Sequence, residues 1–127
     1  MGAILFLGSM KAQIQKGKTR PLETKTWMRC VNGPQCTSLG KLLQAGLTDD
    51  KSWQEARANA EMLAESGHVL MADGRCPDAT WADATKELRE GSEAVLKALD
   101  AKDAAGAQKE FQRVAASCKA CHTAHKK

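Results

Sequence analysis

Phe111-Gln112-Arg113-Val114-Ala115-Ala116-Ser117-Cys118-Lys119-Ala120-Cys121-His122-Thr123-Ala124-His125 carries both the period and the chemistry that decide how this chain is built. Phe111, Val114, Cys118, Cys121 and His125 recur by threes and fours, the spacing of one helix face. Within the stretch, Cys118-Lys119-Ala120-Cys121-His122 is C-x-x-C-H, the pattern of covalent c-type haem attachment. Two thiols one helical turn apart can add to the two vinyl groups of a haem. The histidine after the second thiol then lies under the iron as its proximal ligand. Two other uses of paired cysteines fit less well. A thioredoxin-like C-x-x-C follows a strand and opens a helix, whereas this one closes a helical stretch. A zinc site needs a third and fourth ligand, and only His125 and three scattered cysteines offer themselves.

Working outward, three more amphipathic segments precede this one. The first, about 22–46, carries Trp27, Met28, Val31, Leu39, Leu42 and Leu43. Gly33-Pro34 interrupts it, which predicts two short helices or one broken helix. The second opens at Thr48-Asp49-Asp50 and runs to about Met71 with Trp53, Ala56, Ala60, Leu63, Gly67 and Leu70 on one face. Turn chemistry at Ala72-Asp73-Gly74-Arg75-Cys76-Pro77 stops it. Asp78 then caps a third helix with Trp81, Ala84, Leu88, Gly91, Val95 and Ala98 aligned, and Asp103 caps the fourth. Short links force antiparallel neighbours, so the expected fold is all-α, an up-down-up-down four-helix bundle with a broken first helix. That topology gathers Trp27, Met28, Val31, His68, Leu70, Met71 and Trp81 around the haem motif. Leu39, Leu42, Trp53, Leu63 and Val95 are left to the middle and far end.

Length and composition fit a single small helical domain. The chain has 127 residues, no Tyr, two Phe and three Trp, and a formal charge of +4. One modest core is all such a chain can bury. Without a basic stripe and stacking aromatics the charge is no nucleic-acid footprint, though it suits an acidic redox partner. Residues 1–21 read as a flexible or targeting-like segment before a haem-binding bundle over 22–127. Ala3-Ile4-Leu5-Phe6-Leu7 is apolar but short. Lys11 comes too soon for a membrane span of about 20 residues, so a signal remnant and a sticky tail are the two expectations. Beyond the motif, Cys30, Cys36 and Cys76 allow at most one disulfide. Cys30–Cys36 across the Gly33-Pro34 turn is the favoured pairing, although spacing alone does not choose it.

With the motif closing a fourth amphipathic helix, the chain resembles the class II c-type cytochromes, of which cytochrome c prime is the best known. The likeness rests on Ser117-Cys118-Lys119-Ala120-Cys121-His122-Thr123-Ala124-His125-Lys126 and covers roughly residues 22–127. Lys126 stands where the family places a basic residue, four positions after the haem histidine. His125 replaces a frequent aromatic residue, and the Gly33-Pro34 break and extra cysteines also depart from the family. The resemblance implies one covalent haem c, bound outside the cytoplasm, in the periplasm for a bacterial protein. It also implies a choice at the sixth iron position. Members with Met on the first helix are six-coordinate electron carriers, and members with an apolar distal side are five-coordinate and bind small gases.

These readings combine into one expectation. Cys118 and Cys121 tether the haem, and His122 is the proximal iron ligand. Met28 is the favoured distal ligand over His68, and Trp27, Met71, Trp81 and His125 line the pocket. The activity expected is one-electron transfer to a redox partner protein, with no substrate turned over. No His and Arg pair is placed as distal acid–base machinery. A five-coordinate module binding nitric oxide or carbon monoxide is the alternative, and a haemless metal-binding or interaction module is a third reading. Monomer and homodimer both remain open.

Overall fold

The structure, a computed structural model, describes residues 16–125. All regular secondary structure among them is helical apart from one antiparallel bridge between Lys16 and Glu23. The first helical run consists of α1 (Thr24–Trp27), a π turn (Met28–Asn32) and α2 (Gly33–Ala45). Three long helices follow: α3 (Asp50–Val69), α4 (Ala79–Asp100) and α5 (Ala104–His125). The apolar leader Ala3–Leu7, Lys11 and Lys126 lie outside the described residues.

The break expected at Gly33-Pro34 is not there, because the helix widens instead of stopping. Pro34 has no N–H to donate, and its ring crowds the carbonyl four residues back. The preceding turn relieves this by taking one extra residue: Gly33 N–H reaches Met28 O, a π-type bond. Helical dihedrals persist throughout, from Trp27 (φ −59°, ψ −46°) to Gly33 (φ −59°, ψ −54°). A Cβ on Gly33 would lie 3.0 Å from the Met28 carbonyl oxygen, so glycine suits the widened turn.

Short polar side chains open the other helices where the sequence predicts them. Asp49 accepts the Ser52 N–H at 2.8 Å, and Ser52 Oγ accepts the Asp49 N–H in return, a closed capping box. Asp78 accepts the Trp81 N–H at 2.9 Å, and Asp103 accepts the Gly106 N–H at 2.8 Å. Each cap satisfies one of the donors orphaned at a helix start, worth about 1 kcal/mol apiece.

Apolar stripes then pack the helices together. α3 lies against α2 and α4, α4 against α5, and α2 also touches α5. Leu39, Leu63, Val95 and Val114, one from each long segment, are wholly buried, while Leu42 and Trp53 are only partly so. Gly67 lets α3 and α4 approach closely: a Cβ there would sit 2.6 Å from Arg89 Cβ. Asn59 donates to Ser38 Oγ at 2.9 Å between α2 and α3, and Arg113 bridges Glu87 and Glu90 between α5 and α4. No described helix is long and apolar enough to cross a membrane.

The α3–α4 connection holds the chain's entry in place. Arg75, only 1% exposed, donates to the carbonyls of Val69, Ala72 and Leu22. Asp73, in the left-handed region at φ 59°, accepts from the Thr19 N–H and hydroxyl and, at 2.7 Å, from the Arg20 N–H. The described part of the expected unstructured lead-in, residues 16–21, is therefore tied to this turn rather than loose.

Candidate cofactor site

The motif occupies the last two turns of α5. Cys118 and Cys121, three apart, share the inward face, and Cys121 is buried at 7% exposure. His122 lies about 100° further round the helix and is more exposed. Facing them is a cavity of about 20 Å³, room for about one water. Ser117, Cys118, Cys121 and His122 line it from α5, and Ala84, Thr85 and Leu88 line it from α4. Leu70 closes one side, and Met28 and Asn32 cover the cavity from the π turn. Of the residues predicted for the site, the structure thus brings Cys118, Cys121, His122 and Met28 together.

The other predicted residues lie nearby but outside that lining. Trp81 is buried at 2% exposure with its indole N–H on Leu70 O at 2.8 Å, and its ring meets His125 edge-on at 5.3 Å between centroids. His125 Nε2 lies 3.2 Å from Asp78 Oδ1, so its imidazole faces the α4 N-cap instead of the cavity. Trp27 donates to Ser66 Oγ at 3.0 Å and packs on α3. Met71 and His68 are both exposed at the end of α3, because that helix turns Ser66, Gly67 and Leu70 inward instead. A larger, shallow groove runs over the outer face of the first helical run, between Arg29, Pro34, Thr37, Lys41 and Met28, with none of the motif residues in its wall.

The thiols differ in ways burial and contact explain. Cys36, on α2, hydrogen-bonds Cys118 side chain to side chain. That bond, helped by Ser117, draws Cys118 down to about 7. Cys36, as the donor, is pushed far up, with its own burial adding to the effect. Cys121 is raised to about 11, chiefly by burial and then by the neighbouring Cys118, Asp78 and Cys76. Cys118 is therefore the first of these three to become thiolate.

All five cysteines are thiols. The expected Cys30–Cys36 staple does not form, since the helix runs on between them. Six helical residues separate them by about 9 Å along the axis, beyond the roughly 7 Å a disulfide spans between Cα atoms. Cys30 is left exposed, and Cys36 is turned to Cys118.

Two features of the site escaped the sequence reading. Asn32 is buried at 4% exposure, and its Oδ1 has no hydrogen-bond partner among the described residues. It lies four residues after Met28, the i,i+4 relation that puts two side chains on one face. The Cys36–Cys118 contact had a fainter signal: Cys36 lies eight residues, about two turns, beyond Met28.

The donor set suits a covalently tethered haem. It offers two inward thiols one turn apart, an adjacent imidazole, a thioether across the cavity, and a buried amide oxygen awaiting a partner. Among the described residues no group of three or more His, Cys, Asp or Glu is arranged to hold a bare metal ion. Comparison with protein-family models, curated proteins and solved structures found no match to this chain.

Proposed function

We propose that this chain is a monohaem c-type cytochrome, built as an up-down-up-down four-helix bundle, that carries single electrons outside the cytoplasm. The observation that carries the reading is the shared cavity: Met28 from the π turn lines it together with Cys118, Cys121 and His122. Contacts that join the end of α3, the start of α4 and the end of α5 support the bundle topology, through Trp81 on Leu70 and His125 on Asp78 and Trp81.

Cys118 and Cys121 would hold the haem by thioethers, with His122 as proximal ligand and Met28 at the sixth position. The bound group supplies Fe(III)/Fe(II) exchange. The chain's part is to tether and orient it, to exclude water with Leu70, Ala84 and Leu88, and to set its potential. A thioether sulfur favours ferrous iron and raises the potential, as suits a carrier. A cavity of about 20 Å³ is far below the roughly 300 Å³ and more of ordinary cofactor pockets. Seating a porphyrin therefore needs the first helical run to part from α5. The net charge of +4 suits an acidic partner surface.

Asn32 favours one second reading, a five-coordinate module binding a small gas. A buried amide beside the sixth position is a ready hydrogen-bond partner for a bound diatomic or water.

The test is expression of the full chain with a cytochrome c maturation system, followed by intact mass and by ferric and ferrous spectra with and without carbon monoxide. One covalent haem is expected, in a low-spin protein with a weak sulfur-to-iron band at the red end and slow carbon monoxide binding. Met28→Ala should turn it high-spin and quick to bind carbon monoxide. Absence of haem mass overturns the cytochrome reading. A high-spin wild type that Met28→Ala leaves unchanged promotes the gas-binding one.

A further inference from the structure

We propose that the shallow groove on the outer face of the first helical run, flanked by Arg29 and Lys41, is the docking face for an acidic partner protein. The docking itself rests on the groove and its charge. Only its use as the exit for an electron rests on the cytochrome reading above.

The groove has a volume of about 660 Å³. Met28 and Leu42 in its wall are half-buried, while Arg29, Pro34, Thr37 and Lys41 are exposed. Charge sets this face apart from the rest of the chain. Residues 24–48 hold Lys25, Arg29 and Lys41 and not one Asp or Glu. Over residues 49–125 the balance reverses, with 14 acidic residues to 10 basic. Arg57 and Arg113 in that part are engaged by carboxylates on neighbouring turns and helices. Among the described residues, no carboxylate lies within ion-pair distance of Arg29 or Lys41. An acidic side chain brought to this face therefore gains a pairing without breaking one.

Spacing decides the kind of partner. Arg29 and Lys41 stand twelve residues apart, roughly 15–18 Å along the helical run. One small dicarboxylate cannot reach both, whereas carboxylates spread over a protein face can, with an apolar patch between them on Met28, Pro34 and Leu42. A second copy of this chain suits the groove poorly, because a two-fold contact there sets these cations against their own kind. Residues 24–48 carry three cations, fewer than the roughly four to eight that mark a lipid-binding cluster. Met28 is the one side chain that lines both the groove and the cavity of the motif. A partner seated in the groove therefore touches the residue proposed as sixth ligand. In the loaded protein one electron passes by way of Met28 to the partner's oxidised metal centre. Iron goes from Fe(II) to Fe(III), that centre is reduced by one electron, and no bond forms or breaks.

Plastocyanin, a copper protein with an exposed carboxylate patch, is the probe. The first measurement titrates it, reduced, into the full-length, isotope-labelled, haem-free chain at low ionic strength and follows amide shifts. These should centre on residues 28–42 and fade as salt is added. Arg29→Glu combined with Lys41→Glu should weaken binding by about tenfold or more. The control pairs Lys97→Glu with Lys109→Glu, two exposed cations on α4 and α5. It makes the same change in net charge and should weaken binding by less than about threefold. Circular dichroism checks that each variant folds. No binding, shifts centred elsewhere, or equal losses in the two double variants overturn the proposal. So does tighter groove-dependent binding to phosphatidylglycerol vesicles, which makes the face a membrane site, or a dimer that the Arg29 and Lys41 reversals abolish. The second measurement is the rate at which the ferrous, haem-loaded chain reduces cupric plastocyanin. The Arg29 and Lys41 reversals should slow it by about tenfold and leave the haem spectrum unchanged. Equal rates despite weakened docking overturn the electron exit. Haem on neither protein overturns the cytochrome reading, while the docking face stands or falls on the first measurement.

Discussion

Asn32 shows how much one side chain can reveal at this site. An amide oxygen closed off from water without a partner costs about 1–3 kcal/mol, and a helix interior offers Asn no compensating preference. Asn32→Leu is close in size and apolar, so it should stabilise the haem-free chain by about 1 kcal/mol, read from the urea midpoint at unchanged slope. A lower midpoint would mean that the amide is already satisfied, by the water for which the cavity has room. Met28, one turn earlier, makes the complementary point. The sequence singles out Met28 as a candidate iron ligand, whereas nothing in the residues around Asn32 marks it for the cavity that both line.

At the scale of elements, the turn between α3 and α4 does more than reverse the chain. The Asp73 carboxylate is held down to about 2, first by the Arg20 N–H and then by the Thr19 hydroxyl and N–H. An unfolded aspartate titrates near 3.9. A carboxyl group whose pKa is depressed in the folded state stabilises above its unfolded pKa, and that contribution fades as pH falls through the folded value. Stability should therefore drop between about pH 4 and pH 2. Asp73→Asn should be less stable at neutral pH and lose less on acidification. Thermal midpoints across this range check it, and parallel curves for the two proteins would sink the argument. The π turn works on the other side of the cavity. By taking one residue more than an α turn, it changes the rotation of Thr24–Asn32 relative to Gly33–Ala45, and Met28 and Asn32 reach the cavity in that setting.

Over the whole molecule, the three tryptophans mark the two ends of the proposed bundle. Trp27 and Trp81 pack near the motif, on Ser66 and on Leu70 and His125. Trp53 lies under the Lys102 ammonium, 4.6 Å from its ring centroid, beside the α4–α5 connection. In haem-loaded single-tryptophan variants, energy transfer to the porphyrin should quench Trp27 and Trp81 most and Trp53 least. Finding Trp53 the most quenched would contradict the up-down arrangement.

Much of this architecture is local, and so it could be read along the chain. Asp49, Asp78 and Asp103 start helices because each satisfies donors within three or four residues. Leu39, Leu63, Val95 and Val114 sit on stripes whose period alone turns them inward. The C-x-x-C-H pattern is equally local, which is why the candidate haem cysteines and histidine stand out without any structure. What the sequence could not determine was rotation about each helix axis and the partner met across the core. Each residue adds about 100°, so one extra residue at the π turn reassigns faces that a straight helix would have predicted otherwise. Met71 and His68 turned to solvent, and Asn32 turned in. Cys36 met a thiol on the far side of the chain instead of Cys30 on its own helix. Those outcomes depend on how whole helices settle against one another, a balance of buried area and close approach that no short stretch of sequence contains.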